Sequence, residues 1–534
     1  MNRRVVLGVM LIVLAAFALG AGALRDRGVP RAEGRHDMRN EPSAGTRVPV
    51  GEQWPLGSVE STHGVASGDV SPSGALVWAR ASKPARMFVD LATSPSFRGA
   101  RRFAAGTASS ATDYTVTFRV RRLRPATLYH YRVWFSDLSR PWARSRPEAG
   151  TFKTAPSPSQ KSAVRFAFGG DIGSSNYCRH SEYGYPIFHY MALRDPDFFV
   201  SLGDTIYADS GCASAGPDGW RNLPGNFPKV DDPSVDWTNR SQVEQTYLQH
   251  WRYTRADDRL AGFLAKIPIY SLWDDHEVMN DFGARWTEGN AQYPDRTGYR
   301  NLVAAGRQAF FSYGVLGRRK RDPLRQYRSF TWGRDLKLLI TDSRSYRSRN
   351  EERDTPSARK TLLGAEQLAW LKKSLASATA TWKVIACSVS VAVPTGSEQF
   401  GRDGWADGGT GNGFERELLD LLRFLDRHNV KNVVFITADL HFAQATRHSR
   451  DYDGDGDSLL FHEVVAGPLN ARTRAPYWLD ATTNPSSLYA EGNLFNFGLF
   501  QILPREGGKA ILRAETVDSF GKTKPASVLF LKPL

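Results

Sequence analysis

The 534-residue chain contains only three cysteines, Cys178, Cys212 and Cys387. That is too few for a disulfide-built scaffold, and their spacing is not that of a zinc finger. Cys387 sits in the apolar run Val384 to Val391 and reads as core. Cys178 and Cys212 each follow a polar loop, and in an oxidising compartment they could pair or stay free. The sequence also lacks an internal repeat, a basic heptad helix and a ribonucleoprotein-type aromatic motif. Its net charge of +15 therefore does not mark a nucleic-acid binder, and nucleic acid is kept only in the role of a substrate. Lys and Arg spread along the chain suit attraction to an anionic envelope or the focusing of a phosphate-bearing substrate.

Long apolar runs are nearly absent as well. The exception is Val5 to Leu24, which follows Asn2-Arg3-Arg4 and ends in Ala21-Gly22-Ala23. A charged start, an apolar middle and a small-residue end make residues 1–24 a secretory signal peptide or an uncleaved membrane anchor. Either places the remainder outside the cytoplasm, in the periplasm, the cell envelope or the medium, and the second gives membrane contact through residues 5–24. Arg3-Arg4 is loosely twin-arginine-like, a route that exports folded proteins.

What is present is a globular composition, 41% hydrophobic and 23% charged, on a chain too long for one ordinary core. Residues 25–60, rich in Arg, Pro, Gly and Glu without apolar periodicity, read as a linker. From 61 to 155 the pattern is that of strands: Ala75 to Ala79 is a short one, and Tyr114, Val116, Phe118 and Val120 alternate with polar neighbours at a period of two. Tyr129 just ahead of Tyr131-Arg132-Val133 resembles the corner tyrosine of immunoglobulin and fibronectin III sandwiches, so residues 61–155 are expected to form a small all-β sandwich. From 162 to 534 strands alternate with amphipathic helices, which is an α/β pattern. Expected strands include 164–168, 198–202, 267–272, 336–340, 384–391 and 433–437, with helices at 185–192, 365–375 and 415–425.

Unusual polar residues fall where these strands end. Asp171 follows Phe166-Ala167-Phe168, and Asp204 with Tyr207 follows Phe199-Val200. Asp274-Asp275-His276-Glu277 follows Ile269-Tyr270, and Asp439-Leu440-His441 follows Phe435-Ile436. The carboxyl ends of strands in an open α/β sheet converge on one crevice. Clustered carboxylates lose hydration and repel one another, so a set like this calls for cations. Two metals there can clamp the attacking and leaving oxygens of a displacement at phosphorus. Each element alone has a plainer reading as a turn, a helix cap or a core histidine.

In these residues the chain resembles the calcineurin-like metallophosphoesterase superfamily and, within it, the PhoD-like alkaline phosphatases. The carriers are HGVASGDVSPSGALVWAR, FVSLGDTIYAD, LWDDHEVMND, LKLLITDSRSYR, FITADLHFA and FHEVVAGPLNA. The resemblance implies a four-layer α-β-β-α core of two mixed sheets behind the sandwich. It makes Asp204 the bridging carboxylate and Tyr207 the phenolate ligand of iron-containing members. Asp275, His276 and Asn280 hold a second metal and face phosphate, and Asp171, Asp439 and His441 complete the ligand set. The superfamily's Asp-x-His at the first strand is missing, since Gly173 stands there, and the loop cysteine of PhoD-like enzymes has its nearest counterpart in Cys178. Oxygen-rich donors and a coordinating phenol favour Fe3+ with Ca2+, with Mn2+ or Zn2+ as alternatives.

The expected activity is exported, metal-dependent hydrolysis of phosphate mono- or diesters by attack of metal-activated hydroxide on phosphorus, with His276 as general acid. Arg344, in Asp342-Ser343-Arg344, either contacts the substrate phosphate or forms an ion pair with Asp342. The alternatives are phospholipase D-like cleavage of lipid or wall polymers, or a catalytically inert envelope-binding protein. Asp451 to Asp457 has the opening spacing of a calcium loop but reaches His462 instead of Glu at the twelfth position, so it reads as a hairpin tip or a peripheral Ca2+ site. The oligomeric state is not legible.

Overall fold

The computed structural model describes residues 59–173, 176–283, 297–319 and 321–534. The readings of 1–24 as signal or anchor and of nearly all of 25–60 as linker lie outside the described residues. No described helix is long and apolar enough to cross a membrane.

The described chain opens with β structure alone. Strands β1 (Ser61–Ser71), β2 (Gly74–Ala81), β3 (Ala85–Ala92), β4 (Arg101–Ala108), β5 (Thr115–Arg121), β6 (Leu128–Asp137) and β7 (Glu148–Lys153) follow one another with only a 3-10 turn, Ser110–Thr112, between them. Strands β3, β4, β6 and β7 form a four-stranded antiparallel sheet. The Tyr129 hydroxyl accepts the Arg124 backbone N–H at 2.9 Å, the upstream bond a corner tyrosine makes, although Tyr129 lies inside β6 instead of ahead of it.

The second sheet departs from a self-contained sandwich. Strands β1, β2 and β5 continue a sheet that also holds β8 (Val164–Gly169), β9 (Phe198–Ser201), β10 (Ile269–Ser271), β20 (Asn496–Leu503), β21 (Ile511–Asp518) and β22 (Leu529–Leu531). The join is a parallel pairing of β1 with β10, Gly68 opposite Ile269. A boundary at residue 155 therefore falls between pieces of one hydrogen-bonded sheet. A strand left unpaired at that edge would expose its backbone polar groups, and the pairing is what satisfies them.

A seven-stranded mixed sheet lies against it. It is built from β11 (Arg328–Trp332), β12 (Leu336–Ile340), β13 (Trp382–Ala386), β16 (Val433–Thr437), β17 (Ala443–Arg450), β18 (Leu459–Val465) and β19 (Pro485–Glu491), with the short hairpin β14 (Gly396–Ser397) and β15 (Gly401–Arg402) set apart. Its central strands are parallel and its outer ones antiparallel. The expected strand 384–391 stops at Ala386. Beyond it Ser388 turns its hydroxyl to Asp274 at 2.6 Å, and the Val391 N–H bonds the Glu463 carboxylate at 2.8 Å, so side chains replace the ladder.

Alternation along the strands divides the core. Phe166, Phe168 and Val200 share one apolar cluster with Leu336, Leu338, Val384, Val434 and Ile436 of the other sheet. Ala167 and Phe199, pointing the opposite way, pack with α1 (Ile187–Leu193), α2 (Arg240–Arg255), α3 (Asp258–Lys266) and α4 (Tyr299–Tyr313). Leu339, Ile385 and Phe435 pack with α5 (Ala365–Ala376) and α6 (Glu415–Arg427). A period-two strand with both faces apolar needs a layer on each side, which these clusters supply.

A buried ionic knot ties the N-terminal strands to α2 and α4. Asp113 accepts Arg80 at 3.2 and 3.1 Å, Arg252 at 2.8 and 2.9 Å, and the Tyr313 hydroxyl. Despite burial, these partners hold its carboxyl below the usual range. Breaking such a set from one side strands the other charges. Asp113→Ala is therefore expected to cost about 3 kcal/mol, read as a lowered thermal midpoint, whereas Arg252→Ala, whose charge is part-exposed, should cost less. Equal, negligible losses would show that the knot does not hold the strands.

Candidate metal centre

Four strand ends deliver the polar residues, and the backbone there is tightly turned. Asp171, Asp204, Asp439 and His441 have φ of 69°, 50°, 69° and 61°. Left-handed geometry is tolerated by Asp better than by most residues, because a short polar side chain can bond locally. Gly203, at φ 104°, lets the β9 loop pass close to the β10 loop, since a Cβ there would sit 2.5 Å from that of Asp274.

The two loops are clamped by a residue the sequence reading left unassigned. The Glu277 carboxylate accepts the backbone N–H groups of Asp204 at 3.0 Å, Thr205 at 2.7 Å and Asp274 at 2.8 Å. The His276 N–H donates to Asp204 Oδ1 at 3.1 Å. As a result Asp204, Asp275 and His276 each offer a ligand atom within 4.8 Å of the others. So do Asp274, Asp275 and Asp439, and so do Asp275, Asp281 and Asp403. Asp275 is common to all three sets. Asp171 Oδ1 lies 4.0 Å from His441 Nε2, and the Tyr207 hydroxyl lies 3.0 Å from the same nitrogen. With His441 Nδ1 on the Arg472 carbonyl, a single tautomer satisfies both contacts: Nδ1–H donates and Nε2 accepts from the phenol.

The electrostatics are those of a site short of positive charge. Burial, with Asp274 and Asp275 adding to it, pushes Asp171 and Asp439 well above the usual carboxylate range, and burial does the same to Asp204 against the pull of His276. Burial opposes a charge on His276, but Asp209, Asp275 and Asp204 outweigh it and hold its pKa well above normal. His441 is pushed down to about 3, by burial first and Arg474 second. Burial and then Asp204 and Asp171 raise the Tyr207 phenol well above its usual value. Among the described residues Asp171 Oδ2 and Asp204 Oδ2 are buried oxygens with no hydrogen-bond donor, and the buried Asp275 Oδ1 makes no hydrogen bond and has only a 3.4 Å ion-pair contact with an Arg344 terminal nitrogen. Orphaned carboxylate oxygens converging on shared points fit metal cations, which would satisfy the oxygens and the charge together.

Two expected roles change. Arg344 has no exposed surface, and its Nε reaches Asp274 at 2.6 Å while its two terminal nitrogens hold Asp403 at 2.8 and 2.6 Å. It lies beneath the carboxylates as a fixed counter-charge and cannot reach a substrate phosphate. Its pairing with Asp342 also fails, since only its backbone N–H, at 3.2 Å, meets that side chain. Cys178 is bonded to Cys212 in a disulfide, so its sulfur is not a metal ligand. The bridge instead ties the loop after Asp171 to the loop after Tyr207. Cys387 is buried and free.

Asn280 is half-buried, and its N–H donates to Asp209 Oδ2 at 2.8 Å. Asp209 also receives His276 Nδ1 at 2.6 Å, which turns the other ring nitrogen toward the carboxylates. Asp209 and Asp281 lie at the ends of motif strings, where an acidic residue was signal enough, whereas Glu277 lies inside one and there looks like a further ligand. Asp403 follows the hairpin β14–β15, which has no strand-end pattern. Trp273 is fully buried and bonds Asp342 at 2.9 Å, which makes it core. Asp451 to Asp457 forms the tip between antiparallel β17 and β18, its carboxylates accepting N–H groups of their own loop.

The family model described as "PhoD-like phosphatase" matches residues 168–499, and that described as "PhoD-like phosphatase, N-terminal domain" matches 47–156. The chain is 26% identical over 442 residues to alkaline phosphatase D of Bacillus subtilis (strain 168), covering 77% of this chain and 69% of that protein. A solved structure of PhoD aligns with a TM-score of 0.64 at 21% identity, over 91% of this chain and 94% of that one. The purple acid phosphatase PPD1 of yellow lupin (Lupinus luteus) aligns with a TM-score of 0.58 at 15% identity, over 89% and 74%. Those two likenesses are of fold, a mixed α/β architecture. With a family model spanning well over half of its length, the chain belongs to the PhoD-like phosphatase family and is a phosphoric ester hydrolase.

Proposed function

We propose that the protein hydrolyses phosphate mono- or diesters outside the cytoplasm with the help of two or more metal ions, on a four-layer α-β-β-α core. The observation that carries this reading is the convergence of buried carboxylate oxygens that make no hydrogen bond, on Asp171, Asp204 and Asp275, brought together by loops from three strands. Bound cations would supply Lewis acidity, an activated water and a clamp on the phosphoryl oxygens. Asp171, Asp204, Tyr207, Asp275, Asp439 and His441 are the residues placed to hold them. Asp209 orients His276 through Nδ1, and the surrounding carboxylates favour a proton on its other nitrogen, the state of an acid able to protonate a departing alkoxide. Asn280, on the same turn, is positioned to meet the phosphate. The inert envelope-binding alternative falls with family membership. Export is supported by the Cys178–Cys212 disulfide, a bond that persists in oxidising compartments.

The test is metal content by mass spectrometry beside hydrolysis of an aryl phosphate monoester and a lipid phosphodiester. Chelation should abolish turnover of whichever ester is cleaved, and metal should restore it. Full activity in protein stripped of metal would end the proposal.

Fe3+ with Ca2+ is the proposed pair, because oxygen donors dominate and a buried phenol binds as phenolate only beside a highly charged ion. Metal-replete protein is then expected to be coloured by phenolate-to-iron charge transfer, and Tyr207→Phe to bleach it. An iron-free, colourless and fully active enzyme would overturn the ferric assignment and leave Tyr207 as the neutral donor to His441.

A further inference from the structure

The segment from Arg472 to Asp480 begins on the site's own histidine and carries two aromatic rings into solvent. Its start is fixed at His441: the Arg472 carbonyl accepts Nδ1, and the Arg474 N–H donates to the His441 carbonyl at 2.9 Å. Its end is fixed by the Asp480 N–H on the Ala392 carbonyl at 2.8 Å and by Leu479 against the apolar cluster of Leu440 and Phe442. Between these anchors Tyr477 is 47% and Trp478 58% exposed. Neither ring hangs loose. Tyr477 meets Phe442 edge-on at 5.9 Å, one residue from His441. The far edge of the Trp478 indole rests on Gly408, where a Cβ would come within 2.9 Å of it, at a φ of 62° that already favours glycine. Two adjacent exposed aromatic rings, each in contact along one edge, make a contiguous apolar patch, the kind of surface that marks a binding position. Arg474, exposed on the stretch between His441 and the rings, adds a cation.

We propose, building on the phosphoesterase reading above, that Tyr477 and Trp478 form a leaving-group platform that selects phosphate esters of alcohols carrying a planar aromatic group, nucleosides among them. A base or aryl ring stacks on the indole while the anionic ester lies toward Arg474 and the carboxylate loops. Stacking is tolerant of ring identity because every base has a π face, so the preference is for an aromatic group as a class. A small polyol ester has nothing to place there and gains only the contacts at phosphorus.

Adenosine 5′-monophosphate and ribose 5-phosphate share the same ester bond and differ only in the base, so the ratio of their kcat/KM isolates the platform. Wild type is expected to prefer the nucleotide. In Trp478→Ala the ratio should fall about tenfold, mainly through KM of the nucleotide, and Trp478→Phe should recover most of it. Trp142→Ala, removing an exposed indole on the loop after β6, should leave the ratio where it was. A ratio unmoved by Trp478→Ala overturns the proposal, as does loss of binding to vesicles of anionic phospholipid with no change in the ratio, which would make the rings a lipid-docking edge. If wild type cleaves neither compound nor any other phosphate ester, the phosphoesterase reading itself has failed. If it cleaves both equally and the variant changes neither, only the platform has.

Discussion

Asp204→Asn is expected to lower kcat by about a thousandfold, roughly 4 kcal/mol of barrier, while leaving the protein folded. One oxygen of Asp204 receives the His276 N–H at 3.1 Å, and the other is buried with no donor. An amide must put its NH2 at one of these places. Facing the His276 N–H it sets donor against donor, and facing the carboxylate cluster it presents hydrogens where a cation needs an oxygen. Either way the residue ceases to hold metal with Asp275. The fold survives because the loop is clamped by Glu277 through the backbone of Asp204 and Thr205, a contact the substitution does not touch. Turnover above about one tenth of wild type, with metal content unchanged, would remove Asp204 from the centre.

What the sequence made legible follows from how each feature is encoded. Strand ends that repeat Gly-Asp or Asp-x-His are local signals, and the structure brings Asp171, Asp204, Asp275, His276, Asp439 and His441 into one region. Alternation in Phe166-Ala167-Phe168 likewise announced a strand with two buried faces. Register between distant strands has no local signature, which is why the pairing of Gly68 with Ile269, and the single sheet it creates across residue 155, could not be read. The function of Arg344 was undetermined for a related reason. An arginine after a strand suits phosphate or a buried carboxylate equally, and only the arrival of Asp403 from a loop 59 residues away decides it. Glu277 was hidden by its neighbours, since a carboxylate beside Asp275-His276 looks like another ligand while its oxygens in fact hold backbone N–H groups.

Removing metal should make stability fall as pH rises, and returning metal should cancel that slope. Asp171, Asp204 and Asp439 have folded pKa values well above the ordinary 3.8, so in the metal-free protein they bind protons more tightly folded than unfolded. Their contribution is full below about 4 and is lost as pH climbs through the raised values. His276, raised from 6.5, acts in the same sense, its contribution complete below about 6.5 and lost above. His441 opposes them, because a folded pKa of about 3 makes its neutral form worth more as pH rises from there to 6.5. Above 6.5 His441 is neutral in both states and its opposition stops. From about pH 6.5 to 8.5 Glu277, raised to about 8, and Glu415, raised to about 7, act in the same sense as the site carboxylates and His276, while Lys360, lowered to about 7, opposes them. The thermal midpoint of chelated protein is therefore expected to decline across this window, and the comparison with metal-replete protein is what isolates the site. Cations compete with protons for the same oxygens, so added metal should raise the midpoint more at pH 8.5 than at 6.5. A single ion at a thousandfold excess over its Kd contributes about 4 kcal/mol. A midpoint that ignores added metal at both pH values would mean that these carboxylates are not a cation site.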